Sequence, residues 1–479
     1  MSLKKQAISG MFWTFLQQFS TQGISFVVSI VLARLLLPSE FGLIAMIGVF
    51  VGLGTALINS GLTQSLIRSI EPDQEDFSTV FFFNLAGSII IYIIIFVCAP
   101  YIADFYHQGL LTMIVRVYCI TFIINAFSAI QTTRLTKNMD FKTQMKVSVP
   151  SLIIASIVGI AMAYTGFGVW SLVWSAIVQA LAATIQLWYW SKWSPSWVFN
   201  MQKFKYHFHY GVKLMLSGLL GITFSNAYTI IIGKFFVPAQ VGFYNRADTL
   251  QQLPVINISS MLNKVTFPLF ATIQEDNFRL KSVYKRIMQM VIFLVAPILI
   301  LMGVLAEPLF RFLFTDKWLP SVPYFQILCA NGILFPIHSY NLTILKVKGR
   351  SDLFLKLEII KKILTIIIIL ISFQFGILGL LYGSVVTSIL CFFINTHYSG
   401  KFLDYTAWAQ AKDLMPIIFL ALLSGVGTFF VDYFLCSQHL PDIVRLLAGG
   451  IAGGIIFVGI SFLYKIESLF EIKKIVLSK

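Results

Sequence analysis

Apolar stretches long enough to cross a bilayer recur along this 479-residue chain and constrain its fold more than any motif does. A spanning helix needs about 20 mainly apolar residues. Fourteen candidates are read, at 11–33, 42–60, 78–99, 110–130, 147–165, 169–190, 209–236, 242–262, 283–305, 320–342, 358–375, 377–398, 414–435 and 441–463. The first, seventh and eighth are the least hydrophobic, and a count of twelve follows if the last pair does not span. Charged residues make up only 11% of the chain and hydrophobic ones 58%, against about a quarter charged in an ordinary soluble domain. So few charges cannot cover a globule of this size. A soluble enzyme, a disordered chain and a disulfide scaffold are excluded, and an all-α membrane protein of about 14 transmembrane helices is expected.

The formal net charge of +15 has a simple source. Lys and Arg accumulate in loops kept in the cytoplasm. With the N-terminus inside, 27 of the 35 Lys and Arg fall in inside loops or at the inner ends of spans and 5 in outside loops or at outer ends; Arg116, Lys213 and Arg246 are read as lying within spans. Both termini are therefore placed in the cytoplasm, and no nucleic acid is needed to explain the balance. Trp188, Trp190, Trp193 and Trp197 cluster at one boundary, as an interfacial belt would. Met1 to Lys5 is short and basic and leads into the first apolar stretch with no small-residue cleavage site, so an uncleaved first helix is expected. The cysteines Cys98, Cys119, Cys329, Cys391 and Cys436 lie singly and read as buried small hydrophobes, without metal-ligand spacing. His207 and His209 sit in a basic inside loop and read as solvated.

The chain repeats itself. IVLARLLLPSEFGLIAM at 30–46 parallels IIIGKFFVPAQVGFYNR at 230–246, so that Arg34, Pro38 and Gly42 match Lys234, Pro238 and Gly242. Gln74-Glu75-Asp76 matches Gln274-Glu275-Asp276 at the same offset. Further on the offset drifts: Gly168 resembles Gly376, and Lys137–Phe141 resembles Gly349–Leu353. Two six-helix halves in the same orientation follow, at 1–200 and 201–400, with 401–479 supplying two further helices. Parallel repeats of this kind mark transporters, with a site expected between the halves near the midplane.

No phosphate loop of the GxxxxGK type, no HExxH and no GxSxG occurs, and the outside loops run to roughly fifteen residues at most. The chain is therefore read as moving something rather than transforming it, without cofactor or metal. Charge within a span costs about 2.5–3.5 kcal/mol per residue on insertion scales. The site candidates follow from that cost. The eighth span carries Arg246, Asp248, Gln252 and Asn257, with Pro254 removing a backbone bond between them. Arg246 either faces a hydrated cavity and meets an anion or snorkels to headgroups. Lys213 and Arg116 carry the same two readings. Gln17, Thr21 and Ser25 form a polar stripe on the first span, for substrate or for interhelical hydrogen bonds. Asp248 is the candidate ion-coupling acid. Arg34 and Lys234 read as structural anchors, and Lys346-Val-Lys348-Gly-Arg350 as a contact with anionic lipid.

VLARLLLPSEFGLIAM (31–46), GFGVWSLV (166–173), VGFYNRADTLQQLP (241–254) and KGRSDL (348–353) resemble the polysaccharide exporter branch of the multidrug/oligosaccharidyl-lipid/polysaccharide flippase superfamily, with the colanic-acid-exporter-like Wzx proteins the nearest likeness. The resemblance implies two six-helix lobes in a V around a central cavity. It implies a monomeric flippase of a bacterial inner membrane, carrying a polyprenyl-diphosphate-linked oligosaccharide to the periplasmic leaflet by alternating access, among membrane lipids and polysaccharide assembly proteins. Arg246, Lys213 and Arg116 would then meet the diphosphate, and Gln17, Gln252 and Asn257 the sugars. A drug or cation antiporter of the same superfamily, and a membrane-embedded polymerase or ligase, are the rival readings.

Overall fold

The computed structural model describes the backbone of residues 3–59 and 61–477; the side chains of 3–8, 59, 213–214, 261–265, 472–473 and 475–477 lie outside the description. The described residues form nineteen α-helices and no strand. The first ten are α1 (Leu3–Leu35), α2 (Pro38–Asn59), α3 (Leu62–Arg68), α4 (Gln74–Tyr106), α5 (Leu111–Tyr118), α6 (Ile120–Lys137), α7 (Phe141–Tyr164), α8 (Val169–Ser191), α9 (Met201–Ser225) and α10 (Ala227–Phe235). The others are α11 (Pro238–Thr272), α12 (Asn277–Val304), α13 (Ala306–Phe314), α14 (Val322–Val347), α15 (Ser351–Ser372), α16 (Gly376–Leu403), α17 (Ala407–Ser437), α18 (Asp442–Leu463) and α19 (Glu467–Leu477). Short 3₁₀ turns at Asp316–Ser321 and Phe373–Phe375 join α13 to α14 and α15 to α16.

The fourteen apolar stretches lie mainly on helix, but the fourth is interrupted at Cys119 between α5 and α6 and the seventh at Asn226 between α9 and α10, and the count of fourteen is not reproduced. By length and composition, ten described segments suffice to cross a membrane, or eleven if α9 and α10, bent by 49°, are one span. One of the ten, Ser351–Leu403, holds two helices that pack on each other. The chain is a multi-pass membrane protein.

The chain divides into an N-terminal unit, Met1–Gly242, and a C-terminal unit, Phe243–Lys479. In the first, α4 packs on α6, α6 on α8, and α8 on α7, with α1 against α7. In the second, α12 packs on α14, α14 on α16, and α16 on α15, with α17 against α12 and α18. The order α4–α6–α8–α7 in the first unit thus parallels α12–α14–α16–α15 in the second. Matching punctuation supports it. Gly168 before α8 and Gly376 at the start of α16 both have positive φ, +56° and +70°, where a Cβ would be strained. Lys137 at the end of α6 bonds the carbonyls of Ile67 and Ser69, and Lys348 after α14 bonds that of Gln274.

The paired acidic triplets do different work. Asp73 caps α4, with Asp76 returning the bond at the third helical position. In the second half Asp276 is itself the cap, accepting from Arg279 N at 2.9 Å. The register has already slipped there by three residues, which the constant offset of 200 conceals.

The turns that carry the repeat meet. A Cβ on Gly42 would lie 1.8 Å from the Pro238 carbonyl oxygen, and one on Gly242 would lie 2.0 Å from that of Pro38. The first turns of α2 and α11 therefore cross at their glycines, each on the other's proline carbonyl. This is the reciprocity expected of equivalent parts about a local two-fold axis.

Not every apolar span is covered by protein. Cys119, Cys329 and Cys391 are buried, whereas Cys98 and Cys436 are exposed, contrary to the reading of all five as buried. An apolar helix face in a bilayer need not face other helices.

Candidate substrate site

Helix α11 carries most of the expected residues. Eight residues after Pro238, Arg246 lies about 12 Å along the helix. It is 9% exposed. Its guanidinium sits 5.1 Å from the Phe314 ring centroid and 5.2 Å from that of Trp318, a cation held against two aromatic faces. Asp248 is half-buried and accepts a 2.7 Å hydrogen bond from Gln252 Nε2, one turn on. Asn257 Nδ2 donates to the Leu253 carbonyl at 2.8 Å. Arg246, Asp248, Gln252 and Asn257 are thus gathered along one helix. Asp248 and Gln252 bond each other, while Arg246 turns to Phe314 at the end of α13 and Trp318 in the 3₁₀ turn after it.

Gln17 and Arg116 lie on separate elements of the N-terminal unit. Gln17 Nε2 donates to Ser148 Oγ at 2.9 Å, joining α1 to α7. Arg116 Nε donates to the Phe96 carbonyl at 3.2 Å, with its guanidinium 4.3 Å from the Phe96 ring. Pro100 explains the attraction: it has no N–H to give the carbonyl four residues back, and Arg116 supplies one from a neighbouring helix. The side chain of Lys213 lies outside the described residues. Lys234, read as an anchor, places Nζ 3.3 Å from His107 Nε2 and 4.7 Å from the Phe105 ring centroid.

Other polar residues acquire roles the sequence did not give them. His207 is buried, not solvated: Nδ1 lies 2.8 Å from Ser65 Oγ and Nε2 3.3 Å from Asp76 Oδ1. Beside it Lys203 reaches Asp73, Glu75 and Asp76, and its hydrogen bond to Asp73 holds that carboxyl down to about 2. The first turns of α9 are thereby clasped to α3 and α4. The only forewarning was the capping pattern before α4. In the C-terminal unit Asn341 is fully buried. It accepts from Tyr284 Oη at 2.9 Å and from Ser399 Oγ, tying α12, α14 and α16 together.

Two adjoining cavities, of about 580 and 330 Å³, open in the N-terminal unit. A third, of about 460 Å³, lies in the C-terminal unit with Glu307 and Asp432 on its wall.

With this geometry in place, the comparisons are specific. Residues 31–323 match the family described as polysaccharide biosynthesis protein. The chain belongs to that family. The matched region runs from the end of α1 past α13 and includes Arg116 and Arg246. Among members, the teichuronic acid biosynthesis protein TuaB of Bacillus subtilis (strain 168) is 26% identical, covering 74% of this chain and 73% of its own. The succinoglycan biosynthesis transport protein ExoT of Rhizobium meliloti (strain 1021) is 24% identical over 93% and 90%. The lipopolysaccharide biosynthesis protein WzxC of Escherichia coli (strain K12) is 22% identical over 82% of each. In fold, the chain is similar to the lipid II flippase MurJ in an inward closed conformation, with a TM-score of 0.73 and 14% identity over 96% of this chain and 99% of that one. An inward-facing multidrug resistance MATE family transporter of the MOP superfamily follows at a TM-score of 0.59 and 17% identity, over 80% and 96%. The polysaccharide biosynthesis family member thus shares its fold with these two structures.

Proposed function

We propose that this protein is a flippase. It moves a polyprenyl-diphosphate-linked oligosaccharide repeat unit from the cytoplasmic to the periplasmic leaflet of a bacterial inner membrane by alternating access, for surface polysaccharide synthesis. The observation that carries the reading is the pairing, in one chain, of a glycan-biosynthesis family with a fold held along nearly its full length by a flippase of a lipid-linked precursor. The bias of Lys and Arg supports cytoplasmic termini. In this reading Arg246, Lys213 and Arg116 meet the diphosphate, Gln17, Gln252 and Asn257 meet sugar hydroxyls, and Asp248 is the ion-coupling acid.

Deleting the gene tests it: lipid-linked repeat units should accumulate on the cytoplasmic face. Arg246→Ala should fail to restore export while still inserting in the membrane, and Arg246→Lys should restore it in part, keeping the charge but not the planar fork. Normal export by Arg246→Ala removes that residue from the site. A deletion strain with no trapped lipid-linked glycan refutes the flippase reading.

A further inference from the structure

The two cavities of the N-terminal unit share Thr55 and Asn125 and so form one recess, lined by residues of α2, α3, α5, α6, α8 and α9. Among the described residues, its walls carry no acid, no Lys or Arg and no His. Asn125 lies near the middle of the Leu111–Lys137 segment, and Gln179 near the middle of α8. Both are exposed. Neither side-chain amide has a hydrogen-bond partner among the described residues. An unsatisfied amide facing hydrocarbon costs several kcal/mol. Two of them at mid-span on one concave wall call for water or a polar ligand.

The rest of the lining says which ligand. Thr55 and Thr133 donate their hydroxyls to carbonyls one turn back in their own helices, which leaves the oxygens only an acceptor role toward a ligand. The amides of Asn125 and Gln179 offer donors and acceptors together. Tyr118 and Phe122 add ring surface in the smaller cavity. A diphosphate finds no cation here and an organic cation finds no acid. A pyranose, with hydroxyls at its rim and an apolar ring face, fits every feature. The combined volume is in the range of small-molecule sites.

We infer that this recess is a further subsite for uncharged sugar residues of the cargo, so that part of the glycan is held in the N-terminal unit by amides, hydroxyls and rings without ionic contacts, in addition to the sugar contacts proposed for Gln17, Gln252 and Asn257. The inference rests on the flippase reading and adds residues that no charge argument selects.

The test uses the full-length protein purified in detergent, with binding followed by tryptophan fluorescence. Two probes are compared: the lipid-linked repeat unit extracted from a strain lacking the gene, and polyprenyl diphosphate bearing no sugar. Asn125→Leu combined with Gln179→Leu should weaken the glycan-bearing lipid about ten-fold or more, and leave the bare lipid within about two-fold. Thr55→Val, which removes one hydroxyl at nearly constant volume, should give the same selectivity in smaller measure and serves if the double variant misfolds. Unchanged binding of the glycan-bearing lipid, or equal loss for both probes, overturns the subsite while leaving the flippase reading intact. A wild-type protein that binds neither probe overturns the flippase reading itself.

Discussion

Arg445 and Asp432, thirteen residues apart, meet as a two-pronged ion pair with both bonds at 2.9 Å. The pair is nearly enclosed, with side-chain exposures of 5% and 13%, and Asp442 adds a contact to Arg445 at 3.2 Å. Removing one partner strands the other charge. Asp432→Asn should therefore lose about 3–5 kcal/mol of stability, read as thermal unfolding in detergent. Asp432→Leu with Arg445→Met should recover most of it, since the ions' own desolvation is then avoided. A single variant as stable as wild type would show that the pair is solvated. At Arg116 the expected coupling is with Pro100. Arg116→Ala should cost about 1 kcal/mol in the wild type and close to nothing once Pro100→Ala restores an N–H for the Phe96 carbonyl. Additive losses in that double-mutant cycle would refute the exchange of donors. The sequence marked Arg116 as costly, but its partner comes from another helix and could not be read from it.

At the helix scale, α2 and α11 approach closely at Gly42 and Gly242. Backbone meets backbone there, and no flexible side chain can yield. Gly42→Ala and Gly242→Ala should each destabilise by about 1–3 kcal/mol through overpacking, measured by unfolding of the purified variants. The reciprocal contacts predict that the two costs are similar and less than additive, because either methyl forces the same separation. A silent Gly42→Ala would show that the turns do not hold this approach. Pro38–Gly42 and Pro238–Gly242 were the clearest members of the sequence repeat, and their contact gives a physical reason for them. The acidic triplets were an equally clear match in letters, yet Asp76 closes a capping box whereas Asp276 is the cap itself. Textual equivalence found the helix starts and missed the register.

For the molecule as a whole, the proposed export of a diphosphate with two negative charges follows an inside-negative potential, which favours it by about 4–5 kcal/mol at 100 mV. Flipping reconstituted in vesicles should therefore slow when the potential and ion gradients are collapsed, and should not respond to ATP. Flipping that survives their collapse would refute this energy source. In the proposed reading the uncharged recess bears on substrate choice at the same scale, because its described walls carry no charged group. Arg246 was legible as an expensive residue; the recess was not, since Thr55, Asn125 and Gln179 are unremarkable singly and gain meaning only on a shared wall.

Membrane residence, helical class, the positions of the apolar stretches, the internal repeat and the family likeness were all written in the chain. Apolar length, charge asymmetry and punctuation are local properties that need no knowledge of neighbours. The tertiary structure decided what each polar group touches: His207 with Ser65 and Asp76, Arg445 with Asp432, Arg246 beside Phe314 and Trp318, and the Asn125 side-chain amide with no hydrogen-bond partner among the described residues. The rotation of each helix about its axis sets whether a polar side chain meets another helix, the lipid or a cavity, and that rotation is fixed by packing between segments far apart in sequence.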